Sequence, residues 1–191
     1  MSLKVLAFAG SLREGSYNKK LVRIAAAAAR SAGADVTMLD LVDWPLPIYD
    51  GDLEERDGVP ADVMKLKAMF RAHDAFLIAS PEYNSSVSAA LKNVIDWLSR
   101  PVKDEPPLAC FRSKTAALFS ASPGALGGLR GLVHLRAILG NIGVLLVADQ
   151  LAIGKADEAF TDDGSLKNPK QGALLTEIVG ELVRVGSAVR K

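Results

Sequence analysis

Cysteine is almost absent: Cys110 is the only one, which excludes an intramolecular disulfide framework and any zinc cluster built on several thiolates. The residue is expected as a small buried hydrophobe in or beside a strand. Histidine is nearly as scarce, with His73 and His134 alone. His73 is expected at the end of a helix and His134 in a structural or interfacial place. Charge of one sign is missing too, since 23 Lys and Arg against 22 Asp and Glu leave a formal net charge of +1. That balance gives no footing for a nucleic-acid surface or an acidic lipid patch. No apolar segment approaches the ~20 residues of a membrane span, and the short run after Lys4 falls below a signal-peptide core, so no membrane association and a cytoplasmic location are expected.

What is present is an ordinary globular composition, 49% apolar and 24% charged over 191 residues, enough for one domain with a substantial core. Residues 3–9 form a nearly continuous apolar run, the mark of a parallel strand covered on both faces. Leu21, Ile24, Ala25, Ala28 and Ala29 then follow helical spacing up to Gly33, and residues 34–39 read as a second strand. The pattern repeats: helix 61–72 and strand 74–80, a helix through Leu91, Val94, Ile95 and Leu98 and strand 113–121, a helix through Leu132, Leu135 and Leu139 and strand 141–149. A final helix carries Leu174/Leu175, Ile178/Val179 and Leu182/Val183. Five β-α repeats without a break in composition predict a single α/β domain over 1–191. Residues 40–60 are irregular, and Trp44 and Tyr49 there either cover a ligand or a neighbouring subunit or simply pack on the body.

The stretch that carries most information is 10–18, Gly-Ser-Leu-Arg-Glu-Gly-Ser-Tyr-Asn, between the first strand and the first helix. A strand running into a Gly/Ser loop and a helix start presents unpaired N–H donors and the positive end of a helix dipole, so it suits an anion, phosphate above all. Arg13, Lys19 and Lys20 cluster where cations oppose the dipole at a cost of about 0.3–1 kcal/mol each, a conflict that a bound anion removes. Ser11 and Ser16 can donate to the same oxygens. The alternative is a plain helix capped by Ser16 with its lysines in solvent. The loop is neither a P-loop, since it ends without Gly-Lys-Ser/Thr, nor a dinucleotide fingerprint, since Leu12 stands where a second glycine belongs. Hydroxyls in place of glycines favour a terminal monophosphate.

Two more loops follow strands of the same sheet. Pro81, Glu82, Tyr83 and Asn84 offer a fixed chain direction, a flat ring and an amide that both donates and accepts; the alternative is a turn with an exposed tyrosine. Ser122, Pro123 and Gly124, followed by Gly127 and Gly128, let backbone approach a planar ligand. In a flavodoxin-like doubly wound sheet of order 2-1-3-4-5, with helices on both faces, the three loops converge at the crevice beside strand one. Phosphate, polar chain and flat ring together describe a mononucleotide such as flavin mononucleotide (FMN).

These residues also carry a resemblance. The 10–18 loop, Pro-Glu-Tyr-Asn at 81–84, Leu-Lys-Asn-Val-Ile-Asp-Trp at 91–97 and Ser-Pro-Gly at 122–124 resemble the NAD(P)H-dependent FMN reductase family that includes chromate and quinone reductases, over roughly residues 3–150. The resemblance implies that Ser11, Arg13, Ser16, Tyr17 and Asn18 belong to the phosphate loop. It implies too that Pro81, Glu82, Tyr83 and Asn84 lie along the ribityl chain and ring edge, with Ser122 and Gly124 near the ring. It further implies a homodimer or homotetramer, with Glu82, Tyr83 and Arg130 where subunits meet. The implied activity passes hydride from NADPH or NADH to bound FMN and then electrons to a small-molecule acceptor such as a quinone, chromate, an azo compound or free flavin. The cofactor carries that chemistry, so no catalytic side chain and no metal are expected. The alternatives are a flavin-binding electron carrier or sensor without turnover, and a phosphate-ester hydrolase using the first loop.

Overall fold

The computed structural model describes residues 2–190. Its sheet is parallel, in the order β2 (Asp35–Leu39), β1 (Lys4–Ala9), β3 (Ala75–Ala79), β4 (Thr115–Ala121) and β5 (Leu145–Leu146), with β6 (Leu151–Ile153) also paired to β4. β1, β3 and β4 occupy the middle and are buried along almost their whole length, while β2 is the exposed edge. Alternation of side chains about each strand divides the core in two. Val5, Ala7 and Ala9 of β1 face α1 (Tyr17–Ser31) and α6 (Pro169–Val189). Leu6 and Phe8 face the opposite layer, α3 (Ala61–Arg71), α4 (Ala89–Leu98) and α5 (Leu129–Asn141). Small residues on the first side, Ala25, Ala26 and Ala29 against Ala7 and Ala79, bring α1 close to the sheet. The second side is filled by Phe8, Phe70, Phe76 and Phe111, each such burial contributing about 1.5–3 kcal/mol.

Two parts of the chain differ from expectation. The fifth strand is split into β5 (Leu145–Leu146) and β6 (Leu151–Ile153), which pair with opposite ends of β4. Arg136 causes the interruption to be stable: its guanidinium donates to Val147 O (3.0 Å), Ala148 O (3.2 Å) and the Gln150 side chain (3.2 Å), satisfying acceptors the ladder leaves open. The 40–60 stretch holds a 3₁₀ turn, Leu41–Asp43, and α2 (Gly51–Asp57), whose N-cap Asp50 accepts from Asp52 N. Pro47 O accepts from Trp97 Nε1 (2.7 Å) and Asn93 Nδ2 (2.9 Å), and Tyr49 packs edge-on against Trp97. Tyr49 therefore packs on the body through Trp97.

β6 matters because it seats the loop after β4. Ser122 N donates to Ile153 O (3.0 Å) and Ala156 N to Ser122 O (3.1 Å). Gly127 has φ +62, and a Cβ there would lie 2.5 Å from the Ile153 carbonyl carbon, which is backbone and cannot yield cheaply. Gly127→Ala is accordingly expected to lower stability by about 2–4 kcal/mol, combining a left-handed backbone with overpacking. Urea unfolding of variant and wild type checks this.

Candidate active site

β1 delivers the chain to the 10–18 loop at the carboxyl edge of the sheet. Gly10 N continues the ladder to Ala79 O (2.9 Å), and Ser88 Oγ, the N-cap of α4, donates to Gly10 O. Gly10 is required because a Cβ would stand 2.9 Å from Leu91 Cδ2 of that helix. Ser11 and Ser16 are buried, and Arg13 is exposed at the mouth. Ser16 holds the N-cap position of α1, yet its hydroxyl makes no capping bond and no acid stands in the first turn. The N–H groups that open α1 thus have no side-chain acceptor among the described residues, so the loop is not a plainly capped helix. An anion is the missing partner that this donor set fits.

The cationic cluster read from the sequence is dispersed by the fold. Lys19 Nζ turns to Asp40, 2.7 Å away, whose carboxyl is held below its ordinary value: burial would raise it, but the bonds from Lys19 and Val42 N outweigh that. Lys20 Nζ lies over the rings of Tyr17 and Phe160, 5.9 and 5.8 Å from their centroids. Arg13 alone of the three lines the cleft, and it takes no part in the ion pairs of the described residues. The expectation of three counter-charges is corrected to one, because the other two amines find local partners.

The cleft has a volume of about 170 Å³ and is lined by Ser11, Arg13, Ser16, Tyr17 and Asn18, by Pro81, Glu82 and Tyr83, and by Ala121, Ser122 and Pro123. The three loops therefore meet, as their positions after β1, β3 and β4 require. Sites that enclose a whole ligand measure roughly 300–1,000 Å³, so a mononucleotide held here leaves one side open. Asn84 and Gly124 stand outside the lining. Asn84 (φ 49) and Ser85 (φ 63) instead make a two-residue turn closed by reciprocal Tyr83–Ser86 backbone bonds of 3.0 Å, which lifts the half-exposed Tyr83 to the rim. Ala121 was not among the expected residues, and Pro123 was expected only as part of the 122–124 loop; the place of Ala121 follows from the strand end and gives no side-chain signal. A larger apolar groove of about 400 Å³ lies across the first loop, lined by Leu12, Trp44, Leu46, Ile48 and the start of α4. Ser11 and Arg13, on either side of Leu12, do not line it.

Glu82 borders the cleft but spends its carboxylate on α5, accepting from Gly131 N (3.0 Å) and from Arg130 Nε (2.9 Å) and Nη2 (2.6 Å). Burial pushes its carboxyl up, but the Gly131 and Arg130 bonds dominate and hold it below the ordinary value. Cys110 is fully buried, and burial pushes its thiol up, which keeps it inert. His73 Nδ1 meets Met69 O (2.7 Å) at the end of α3, and His134 Nδ1 meets Ser86 Oγ (2.9 Å).

The depressed Glu82 carboxyl makes its contribution to stability present above its unfolded value, near pH 4.5, and lost as pH falls through the lower folded value. Glu82→Gln should cost about 1–2 kcal/mol at pH 7 and progressively less below pH 4, where wild type loses the same interaction. Denaturation of both proteins across that range measures it.

Comparison with known proteins identifies the family of this chain. A family model described as NADPH-dependent FMN reductase matches residues 3–158. The chain is 38% identical over 173 residues to a probable NADPH:quinone oxidoreductase 2 of Oryza sativa subsp. japonica, covering 88% of this chain and 81% of that one. It is 32% identical over 189 residues to a quinone reductase of Escherichia coli K12, covering 99% and 96%. Among solved structures, the flavoenzyme NAD(P)H:(acceptor) oxidoreductase FerB from Paracoccus denitrificans superposes with a TM-score of 0.82 at 29% identity, covering 98% of both chains. An archaeal flavodoxin superposes at 0.64 with 11% identity, covering 97% of this chain and 99% of the other, a likeness of fold alone. The buried parallel sheet, the three convergent loops and the matched family model place this chain in the NADPH-dependent FMN reductase family.

Proposed function

We propose that the cleft between loops 10–18, 81–83 and 121–123 holds FMN by its phosphate and leaves the flavin open to reductant and acceptor in turn. The protein is an FMN-dependent NAD(P)H oxidoreductase, and the observation that carries the assignment of the cofactor to this cleft is the uncapped start of α1 beside Arg13. Bound FMN supplies two-electron exchange between NAD(P)H and the acceptor. The chain supplies the cradle. The α1 N–H groups and the Ser11 and Ser16 hydroxyls donate to phosphate oxygens, and Arg13 forks onto them. Pro81, Glu82, Tyr83, Ser122 and Pro123 border the flat part of the ligand, with Tyr83 at the rim. Asn84 and Gly124 act from outside the lining, by shaping the turns. The side chains bind and orient, while Cys110, His73 and His134 are outside the lining.

A quinone is the acceptor favoured by the names of the rice and E. coli relatives. The same reading includes residues 1–191 working as one flavodoxin-like domain, a cytoplasmic location and a homodimer or homotetramer. Assembly is supported by exposed Tyr83, Leu126, Leu129 and Val133 around the Glu82–Arg130 pair, an apolar patch with a charged centre. No helix among the described residues is long and apolar enough to cross a membrane.

Purified protein loaded with FMN is expected to oxidise NADPH or NADH steadily when 1,4-benzoquinone is present. Retained flavin without turnover would instead identify an electron carrier. Arg13→Ala should weaken FMN binding by about 1.5–3 kcal/mol, roughly ten- to 150-fold, through loss of a charge-assisted bond. Riboflavin, which lacks the phosphate, should bind the variant as it binds wild type; fluorescence titration with both ligands reads the contrast.

A further inference from the structure

Asn18 stands in the first turn of α1, beside the proposed phosphate donors, and its position alone suggests a phosphate ligand. Its amide is directed elsewhere. Nδ2 donates to Ala121 O (2.9 Å) and Ala121 N donates to Oδ1 (2.9 Å), a two-way pairing between residues 103 apart. Asn18 is 3% exposed, so this pairing stands largely out of water, where leaving either partner unmade costs most. Ala121 is the last residue of β4, and the next residues, Ser122 and Pro123, border the cleft. On its other side the same segment is held by β6 through Ser122 N to Ile153 O (3.0 Å). The segment is thus pinned between a fixed strand and one side chain of the phosphate helix.

Resting on the flavin reading above, we propose that Asn18 is a positioning residue: its amide clamps the Ala121 peptide and thereby sets where Ser122 and Pro123 meet the flavin ring, without itself binding phosphate. No other side-chain bond among the described residues joins α1 to the loop after β4. Phosphate cradle and ring loop belong to different elements, α1 and β4, and this pairing fixes the distance between them. A clamp acts on the ring; a phosphate ligand acts on the phosphate. The two roles separate when the ligand loses its phosphate.

The test compares wild type, Arg13→Ala, Asn18→Ala and Asn18→Asp, each confirmed folded by circular dichroism, in titrations with FMN and with riboflavin. Asn18→Ala is expected to weaken both ligands by a similar factor, about tenfold or more, leaving the FMN-to-riboflavin affinity ratio as in wild type. Arg13→Ala should lower that ratio. Asn18→Asp keeps an acceptor for Ala121 N but turns a carboxylate oxygen toward Ala121 O and adds a buried negative charge, so it should not restore the pairing, and its riboflavin affinity should stay below that of wild type. A second readout is the midpoint potential of FMN-saturated protein. Displacement of Ser122 and Pro123 at the ring should change relative affinity for oxidised and reduced FMN about tenfold in Asn18→Ala, a shift of about 30 mV, whereas Arg13→Ala leaves it in place. Asn18→Ala that loses FMN affinity while keeping riboflavin affinity and potential would make Asn18 a phosphate ligand and overturn the proposal. Wild type that binds neither flavin would overturn the flavin reading and this inference together.

Discussion

The cleft depends on one constraint: β1, β3 and β4 are parallel, adjacent and buried on both faces. A parallel pair cannot be closed by a tight turn, so each strand must hand the chain to a loop and a helix at the same edge of the sheet. Apart from Thr115 and Ser120 of β4, the buried residues on both sides of these strands are apolar, and the polar loops gather at that edge. The 10–18, 81–86 and 122–128 loops are neighbours because their strands are. Residues distant in sequence line a single cleft for this reason and no other.

Burial places the loops near one another, but side chains set their spacing. Asn18 pairs with Ala121 across α1 and β4, Glu82 reaches from the β3 loop to Gly131 and Arg130 of α5, and Ser88 joins the start of α4 to Gly10. Apart from the Glu82–Arg130 ion pair, each bond uses a polar side chain to satisfy a backbone group. Such bonds are worth about 1 kcal/mol in net stability but far more in geometry, since a ligand site loosened by an ångström loses much of its advantage. Two residues that look like ligands in the sequence, Asn18 and Glu82, are therefore largely committed to the frame.

The charges show the same separation between pattern and partner. Arg13, Lys19 and Lys20 lie close in sequence, and simple proximity groups them around one anion. Helical geometry sends Lys19 toward Asp40 beyond β2 and lays Lys20 over the stacked Tyr17 and Phe160 rings. Phe160 belongs to the polar 155–170 stretch, which carries no legible signal of its own. That stretch packs on the entrance to α1, and β6 before it seats the 122–128 loop.

Hydrophobic period was enough to determine the order of strands and helices, because a run buried on both faces and an amphipathic helix write different patterns into the chain. The loop compositions at 10–18, 81–83 and 122–123 likewise marked the segments that meet at one cleft, since few residue types supply such donors and turns. The split of the fifth strand, the commitment of Asn18 and Glu82 to backbone, the dispersal of the lysines and the absence of Asn84 and Gly124 from the lining were decided only by tertiary structure. For Asn18, Glu82 and Lys19 the physical reason is the same: a polar side chain's role is fixed by the nearest unsatisfied partner in space, and those partners lie 103, 49 and 21 residues away.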